Sequence, residues 1–379
     1  MSKHTGTIVG GAVGALAFIA IVIGFVWLIK CRHFENKNSE TASSDPSALV
    51  EWNRGAGTGD QTLFGSQEAR QIAMEEIEQA TNVFSESNLI GYGSFGLVYK
   101  GLLRDTVVAI KRRPGAPRQE FVAEVTHFSQ IRHRHLVTLL GYCQESGFQM
   151  LVFEYLPNGS MCNHLYDTGE EPSTKLEFKQ RLSIAMGAAK GLCYLHGLNP
   201  PLVHKNFKTA NVLVDENFIA KVADAGISQL LEKIEEAGPS RTSSVNVFQD
   251  PEVGQPGTFT QLSDIYSFGV FLLELVTGQE ALHIDSLGSY DSLIQWVRSR
   301  LSSNNFVDHR LAGRFTTEGI RDLIILTLQC MSFPGIRRPK MEMVVHELER
   351  IHEKEMALTT VMGEGTTTFA LGSELFTSN

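Results

Sequence analysis

Short apolar runs broken by glycine give way, beyond Pro157, to apolar residues recurring at three- and four-residue steps, and this change of pattern constrains the fold more than any other feature. Leu97-Val98-Tyr99-Lys100-Gly101 and Val107-Val108-Ala109-Ile110-Lys111 read as strands. Leu182 to Leu195 and Tyr266 to Thr277 read as helices. A strand-rich lobe followed by a helix-rich lobe is the organisation of an α+β protein with a cleft between the lobes. With 379 residues the chain has room for one large or two ordinary domains and a core that needs no disulfide.

Outside this folded part the composition changes sharply. Ile8 to Ile29 is a run of 22 uncharged residues, which as a helix spans about 33 Å, enough to cross a hydrocarbon core. A cleaved signal peptide would have a shorter apolar region, about 7–15 residues, ending at small residues; this run ends in Trp27-Leu28-Ile29-Lys30-Cys31-Arg32. Lys30, Arg32 and Lys37 follow the span and Lys3 precedes it, so the positive-inside rule puts the carboxyl side in the cytoplasm. The expected organisation is a short extracytoplasmic end (1–7), a transmembrane helix in the lipid bilayer (8–29), a flexible juxtamembrane linker rich in Ser, Thr, Glu, Asn and Gly (30–70), a folded domain (71–352) and a disordered Thr-rich tail (353–379). With 1–7 alone outside, no ligand-binding ectodomain is expected. Gly10 and Gly14 have the spacing that lets two such helices pack closely, although glycine is common in membrane helices in any case. Cys31 sits where palmitoylation occurs. A short helix is expected over Ile72–Thr81 and a last one over Lys340–Lys354, with Val344, Val345, Leu348 and Ile351 on one side.

The five cysteines are scattered, without a Cys-x-x-Cys pair, and read as reduced thiols rather than a zinc site or disulfide framework. A net charge of −9 argues against a nucleic-acid partner.

The residues that carry chemistry come in a fixed order. Gly91-Tyr92-Gly93-Ser94-Phe95-Gly96-Leu97-Val98 is a Gly-x-Gly-x-x-Gly-x-Val loop, whose bare positions let backbone N–H groups approach phosphates. A dinucleotide fold uses a similar string, but there a helix starts inside it. Here a second strand follows, ending in Val108-Ala109-Ile110-Lys111. Further on come His204-Lys205-Asn206-Phe207-Lys208-Thr209-Ala210-Asn211 and Asp224-Ala225-Gly226. On these motifs the stretch from Asn88 to Ile351 resembles the receptor-like Ser/Thr protein kinases of plants. Arg132 to Val137, Leu140-Gly141-Tyr142-Cys143, Ser263 to Gly269 and Arg338-Pro339 add to the likeness.

The resemblance implies a bilobal protein-kinase fold, with a small strand-rich N-lobe carrying one key helix and a larger helical C-lobe. It implies nucleotide contacts at Gly91, Gly93, Gly96, Val98, Ala109, Lys111 and Glu154, with Glu124 as the ion-pair partner of Lys111. It also implies Lys208 beside the reacting groups, a magnesium pair at Asn211 and Asp224, and ATP and Mg2+ as cofactors. Glu252 and Arg338 would form a buried ion pair, and Asp264 would hold the backbone of the 204–211 loop.

Four departures bear on activity. Asn206 stands where the family has its catalytic aspartate; an amide hydrogen-bonds but holds no proton near neutral pH, and losing a general base costs about 10²–10⁴-fold. Lys205 replaces an arginine and loses its bidentate fork. Ala225 replaces a phenylalanine, and Phe128 is expected to refill that space. Val245 replaces a threonine whose hydroxyl helps seat a peptide. Ser240, Thr242, Ser243 and Ser244 beside Arg241 are open to phosphorylation in trans or to the role of an ordinary mobile loop. The expected protein is a single-pass, plasma-membrane pseudokinase with its kinase-like domain in the cytoplasm, binding ATP and acting on other receptor-like kinases as a scaffold or allosteric partner. A weak but active Ser/Thr kinase and a scaffold that binds no nucleotide are the alternatives.

Overall fold

Two hairpins organise the amino-terminal lobe. Strand β3 (Leu97–Leu103) returns as β4 (Thr106–Pro114) through Arg104 and Asp105, both at positive φ, and β5 (Leu139–Glu145) returns as β6 (Phe148–Glu154) through Ser146 and Gly147, also both at positive φ. Two-residue loops of this hand match the right-handed twist of the strands they join. With β1 (Arg70–Gln71) and β2 (Leu89–Tyr92) they form a six-stranded sheet in the order β1-β5-β6-β4-β3-β2, antiparallel except for β1 beside β5.

The structure, a computed structural model, describes residues 69–166, 176–234, 247–253, 259–281, 297, 306–311 and 315–361. The chain divides into two units, Met1–Asp60 and Gln61–Asn379. The Ile8–Ile29 run, Gly10, Gly14 and Cys31 lie outside the described residues, as do Ser240 to Val245 and residues beyond 361. Among the described residues no helix is long and apolar enough to cross a membrane.

Alternation within β4 decides which face is core. Val108 and Ile110 are fully buried with Ile77, Met150 and Val152 beneath helix α1 (Met74–Ala80), while Ala109 and Lys111 point the other way, into the cleft between the lobes. Helix α2 (Gln119–Ser129) packs on β5 and buries Phe121, Val125 and Phe128.

The carboxyl-terminal lobe is helical: α3 (Met161–Leu165), α4 (Phe178–His196), α5 (Ile227–Ile234), α6 (Gln261–Thr277), α7 (Thr317–Cys330) and α8 (Met341–Val361), with a two-stranded sheet of β7 (Val212–Val214) and β8 (Ala220–Val222). Helix α6 is buried from Ser263 through Thr277. A helix apolar on every side belongs in the middle of a core, each fully buried Leu, Val or Phe adding about 1.5–3 kcal/mol.

Three expectations are corrected here. The linker was expected to reach residue 70, but Arg70 already pairs with Gly141 in the sheet. The last helix was expected to stop near Lys354 and the disordered tail to begin at 353, but α8 continues to Val361. The reason is Glu355, fully buried, whose carboxylate accepts the Thr316 N–H at 2.9 Å and the Thr316 hydroxyl at 2.5 Å and so caps α7. Finally, Arg338 and Glu252 were expected to form the buried ion pair; they do pair, at 3.7 Å, but Glu252 is partly exposed and accepts the Gly335 N–H, and the buried pair is with Asp250, onto which the guanidinium forks at 2.6 and 2.9 Å. A carboxylate one methylene shorter and two residues earlier reaches the fork bidentately, and the Tyr266 ring covers the cation at 5.2 Å.

Asp250→Asn is therefore expected to lower stability by about 3–5 kcal/mol in urea denaturation, because it strands a buried guanidinium. Glu252→Gln is expected to cost about 1 kcal/mol or less.

Candidate functional site

Between the lobes lies a cleft of about 560 Å³. Its roof is the glycine loop joining β2 to β3. Gly91 and Gly93 leave their side-chain positions open to the cleft, whereas Gly96 is required by geometry: its φ is +140°, and a Cβ there would stand 2.3 Å from the Arg112 carbonyl oxygen. The loop closes through the Gly93 N–H donating to the Gly96 carbonyl at 2.8 Å, and Phe95 anchors it by burying its ring. Val98 and Ala109 from the sheet and Leu213 from β7 give the cleft apolar walls.

Of the residues singled out by sequence, Gly91, Gly93, Val98, Ala109, Lys111, Glu154, Asn206, Lys208, Asn211 and Asp224 all line this cleft; Gly96 shapes its roof from behind, and Glu124 lies outside it. Among the described residues, the carboxylates on the wall are those of Glu154 and Asp224. Glu154 accepts the Thr138 N–H at 2.7 Å and pairs with Lys221 at 2.7 Å. Asp224 pairs with Lys111, whose ammonium also lies 5.6 Å from the centre of the Phe153 ring.

This pairing differs from the expected one. Glu124 does not reach Lys111; it pairs with Lys233, and its other oxygen is buried without a hydrogen-bond partner. The cause is helix α5, which starts three residues after Asp224. It buries Ile227, Leu230 and Ile234, and Ile227 and Leu230 share an apolar contact zone with Val125 and Phe128 of α2. Lys233 is thereby carried to Glu124, and Glu232, on the same turn, pairs with Lys205 at 2.5 Å. Phe128 lies where the sequence reading placed it: its ring covers Gly226, where a Cβ would meet it at 2.6 Å, and shares a residual apolar cavity of about 20 Å³ with Ala225.

The 204–211 loop is held from below by one carboxylate. Asp264 accepts the His204 N–H at 2.8 Å, the Lys205 N–H at 2.9 Å and a hydrogen bond from His196 Nε2 at 2.8 Å, and Lys205 takes a φ of +64° to allow it. Asn211 Nδ2 donates to the Asn206 carbonyl at 2.8 Å, and the Ala223 N–H donates to the Asn211 carbonyl at 2.8 Å. The Asn206 side chain faces the cleft, and among the described residues its amide makes no hydrogen bond. Lys208 on the same wall pairs with no carboxylate among the described residues.

One buried acid escaped the sequence reading. Glu274 in α6 is wholly inaccessible and accepts from Tyr166 Oη at 2.5 Å, the Ala281 N–H at 2.7 Å and the Thr209 hydroxyl, tying the loop to the core. The signal was a second carboxylate, after Asp264, in a helix whose second half is otherwise almost wholly apolar. Burial without a counter-charge pushes this carboxyl up to about 7, and the three donors offset only part of the effect.

A nucleotide fits the cleft: the volume lies in the usual range for ligand pockets, about 300–1,000 Å³, the walls are apolar, and the roof is glycine where backbone must approach phosphate. Val98, Ala109 and Leu213 would flank a planar base, and Lys111 and Lys208 would face phosphates. The magnesium pair that the resemblance implies, one carboxylate and one amide, is present on the cleft wall as Asp224 and Asn211 and would hold the ion together with phosphate oxygens. Asp224 meets Lys111 through one carboxylate oxygen.

Comparison with known proteins agrees with this geometry. The family model for protein tyrosine and serine/threonine kinases matches residues 84–348. In Arabidopsis thaliana, the proline-rich receptor-like protein kinase PERK2 is 37% identical over 73% of this chain and 40% of its own length. PERK3 is 35% identical over 91% of this chain and 65% of its own length, and the receptor-like protein kinase HERK 1 is 34% identical over 98% and 46%. The chain thus spans about two fifths to two thirds of the length of these curated relatives. Among solved structures, the pseudokinase domain of BIR2, described as an immune regulator of the RLK/Pelle family, matches with a TM-score of 0.61 at 30% identity, covering 75% of this chain and 87% of that one.

Because the folded carboxyl of Glu274 holds its proton more tightly than an unfolded one, it adds stability that is complete below about pH 4.5 and is lost as the pH rises to about 7. Thermal melts should show the unmodified chain losing about 3 kcal/mol over that window relative to Glu274→Gln.

Proposed function

Since the chain belongs to the protein tyrosine and serine/threonine kinase family, and within it to the plant receptor-like protein kinases, we propose that it is a pseudokinase of that group: a nucleotide-binding, kinase-like domain without phosphoryl transfer that acts by conformation on active receptor kinases. The observation that carries this reading is the charge state of the cleft wall. Transfer to a hydroxyl needs a carboxylate to orient it and take its proton. Asn206 stands at that position, and Glu154 and Asp224, the carboxylates on the described wall, are each occupied by a lysine.

The conformation supports the same reading. An active arrangement would set Lys111 against Glu124; here α5 holds Glu124 through Lys233 and the 204–211 loop through Lys205. The uncharged Ile8–Ile29 run and the basic residues after it support a single membrane span with the domain in the cytoplasm. The likeness to the BIR2 pseudokinase domain supports a partner role among receptor-like kinases.

The full chain incubated with Mg-ATP and a generic protein substrate is expected to transfer no more phosphate than its Lys111→Ala variant, a rate about 10²–10⁴-fold below that of a kinase with its base in place. Robust turnover by the unmodified chain would end the proposal.

A further inference from the structure

Helix α5 is tied to both sides of the cleft. Its first turn hangs from the segment that carries Asp224: the Ile227 N–H donates to the Asp224 carbonyl at 3.1 Å, and the Leu230 N–H to the Gly226 carbonyl at 2.9 Å. Its last turn carries two adjacent, opposite charges. Lys233 pairs with Glu124 of α2, in the amino-terminal lobe, and Glu232 pairs with Lys205 of the 204–211 loop, in the carboxyl-terminal lobe. The helix straps one lobe to the other.

The strap leaves Glu124 poorly served. One carboxylate oxygen meets Lys233, a half-exposed lysine, and the other is buried without a hydrogen-bond partner among the described residues, which carries a desolvation cost. Beneath the helix, Ile227 and Leu230 meet Val125 and Phe128 around a cavity of about 20 Å³, so the apolar seat is not completely filled. The same residues have a second arrangement, in which Lys111 pairs with Glu124 as in a kinase poised for transfer. It would give Glu124 a cation from the cleft, clear Asp224 of its lysine and leave Lys233 without its carboxylate.

A nucleotide in the cleft weighs the two arrangements differently. Asp224 and Asn211 stand on the wall, and Asp224 now shares one oxygen with Lys111. In the second arrangement Asp224 faces magnesium and phosphates with no cation already on it, and Lys111 reaches the phosphates braced by a carboxylate outside the cleft. A ligand shifts an equilibrium by its differential affinity for the two states, and the coupling is reciprocal.

We propose that α5 is a lock opened by magnesium nucleotide: occupancy of the cleft passes Lys111 from Asp224 to Glu124, and the last turn of α5 leaves its seat. This rests on the nucleotide-binding reading above and goes beyond it, because a nucleotide could equally bind with α5 in place.

Hydrogen exchange of the full chain reads the lock directly. The amides of residues 227–234 are expected to exchange at least about fivefold faster in saturating Mg-ADP than without it. Glu232→Lys, which sets two lysines against each other at an exposed position, is expected to speed that exchange about threefold without nucleotide. By reciprocity it is expected to bind Mg-ADP about threefold more tightly in calorimetric titration. Adding Lys205→Glu restores the pair in reverse and is expected to return both readouts to those of the unmodified chain. If either variant does not fold, exchange in the unmodified chain decides alone. Exchange that is unchanged or slower with Mg-ADP bound overturns the lock and leaves the nucleotide reading standing. A double variant as loose as Glu232→Lys overturns the strap. Absence of Mg-ADP binding by the unmodified chain and by Glu232→Lys alike overturns both this inference and the nucleotide reading from which it starts.

Discussion

The ammonium of Lys111 takes its counter-charge from Asp224, and most of what is distinctive in this molecule follows from that choice. With Lys111 engaged, Glu124 is left to Lys233 and Lys205 to Glu232, so three lysine–carboxylate pairs tie Asp224, just before α5, to the sheet lobe and the last turn of α5 to the α2 helix and the 204–211 loop. The Lys233–Glu124 and Lys205–Glu232 pairs, each with one well-exposed partner, are worth at most about 1 kcal/mol each. The apolar side of α5 is worth more: Ile227, Leu230 and Ile234 are buried, at roughly 1.5–3 kcal/mol apiece. Packing therefore sets where the helix lies, and the charges fix its register.

The frame of the 204–211 loop rests on side chains other than those that face the cleft. Asp264 holds three donors beneath the loop, and Glu274 holds its far end through the Thr209 hydroxyl. Neither contacts the cleft. Exchanging a carboxylate for an amide at 206 leaves both attachments intact, since the Asn206 group that Asn211 uses is its backbone carbonyl. On the proposed reading the loop keeps the frame for transfer and lacks the atom that would accept the proton. Ala225 follows the same logic: the volume its missing ring vacates is largely taken by Phe128, so the core closes while the link between Asp224 and α2 is remade in a new form.

What could be read from sequence were features fixed locally. The glycine loop, the alternation that sends Lys111 into the cleft and buries Ile110, and the helix periods beyond Pro157 all follow from backbone and side-chain geometry over a few residues. Asp264 was legible through the resemblance, which implied that it holds the 204–211 loop. Glu274, in the same helix, belongs to none of the motifs that carry the resemblance, and its donors Tyr166 and Thr209 lie 108 and 65 positions away. Partner choice among competing charges was not legible. Lys111 has both Glu124 and Asp224 within the reach of the fold, and the packing of α5 decides between them. Arg338 likewise has Asp250 and Glu252, two residues apart, and the geometry of the fork decides. Glu355 extends the last helix beyond its apolar period because a cap for α7 is needed there, a demand made by a segment 39 residues earlier.

The central claim is that no acidic group stands ready to accept a proton in this cleft. A crystal structure of the protein with a non-hydrolysable ATP analogue tests it directly. The account predicts that the side chain nearest the terminal phosphate on the floor of the cleft is the Asn206 amide, with Glu154 still on Lys221. A carboxylate from any other part of the chain within hydrogen-bonding reach of the site for an incoming hydroxyl would contradict it.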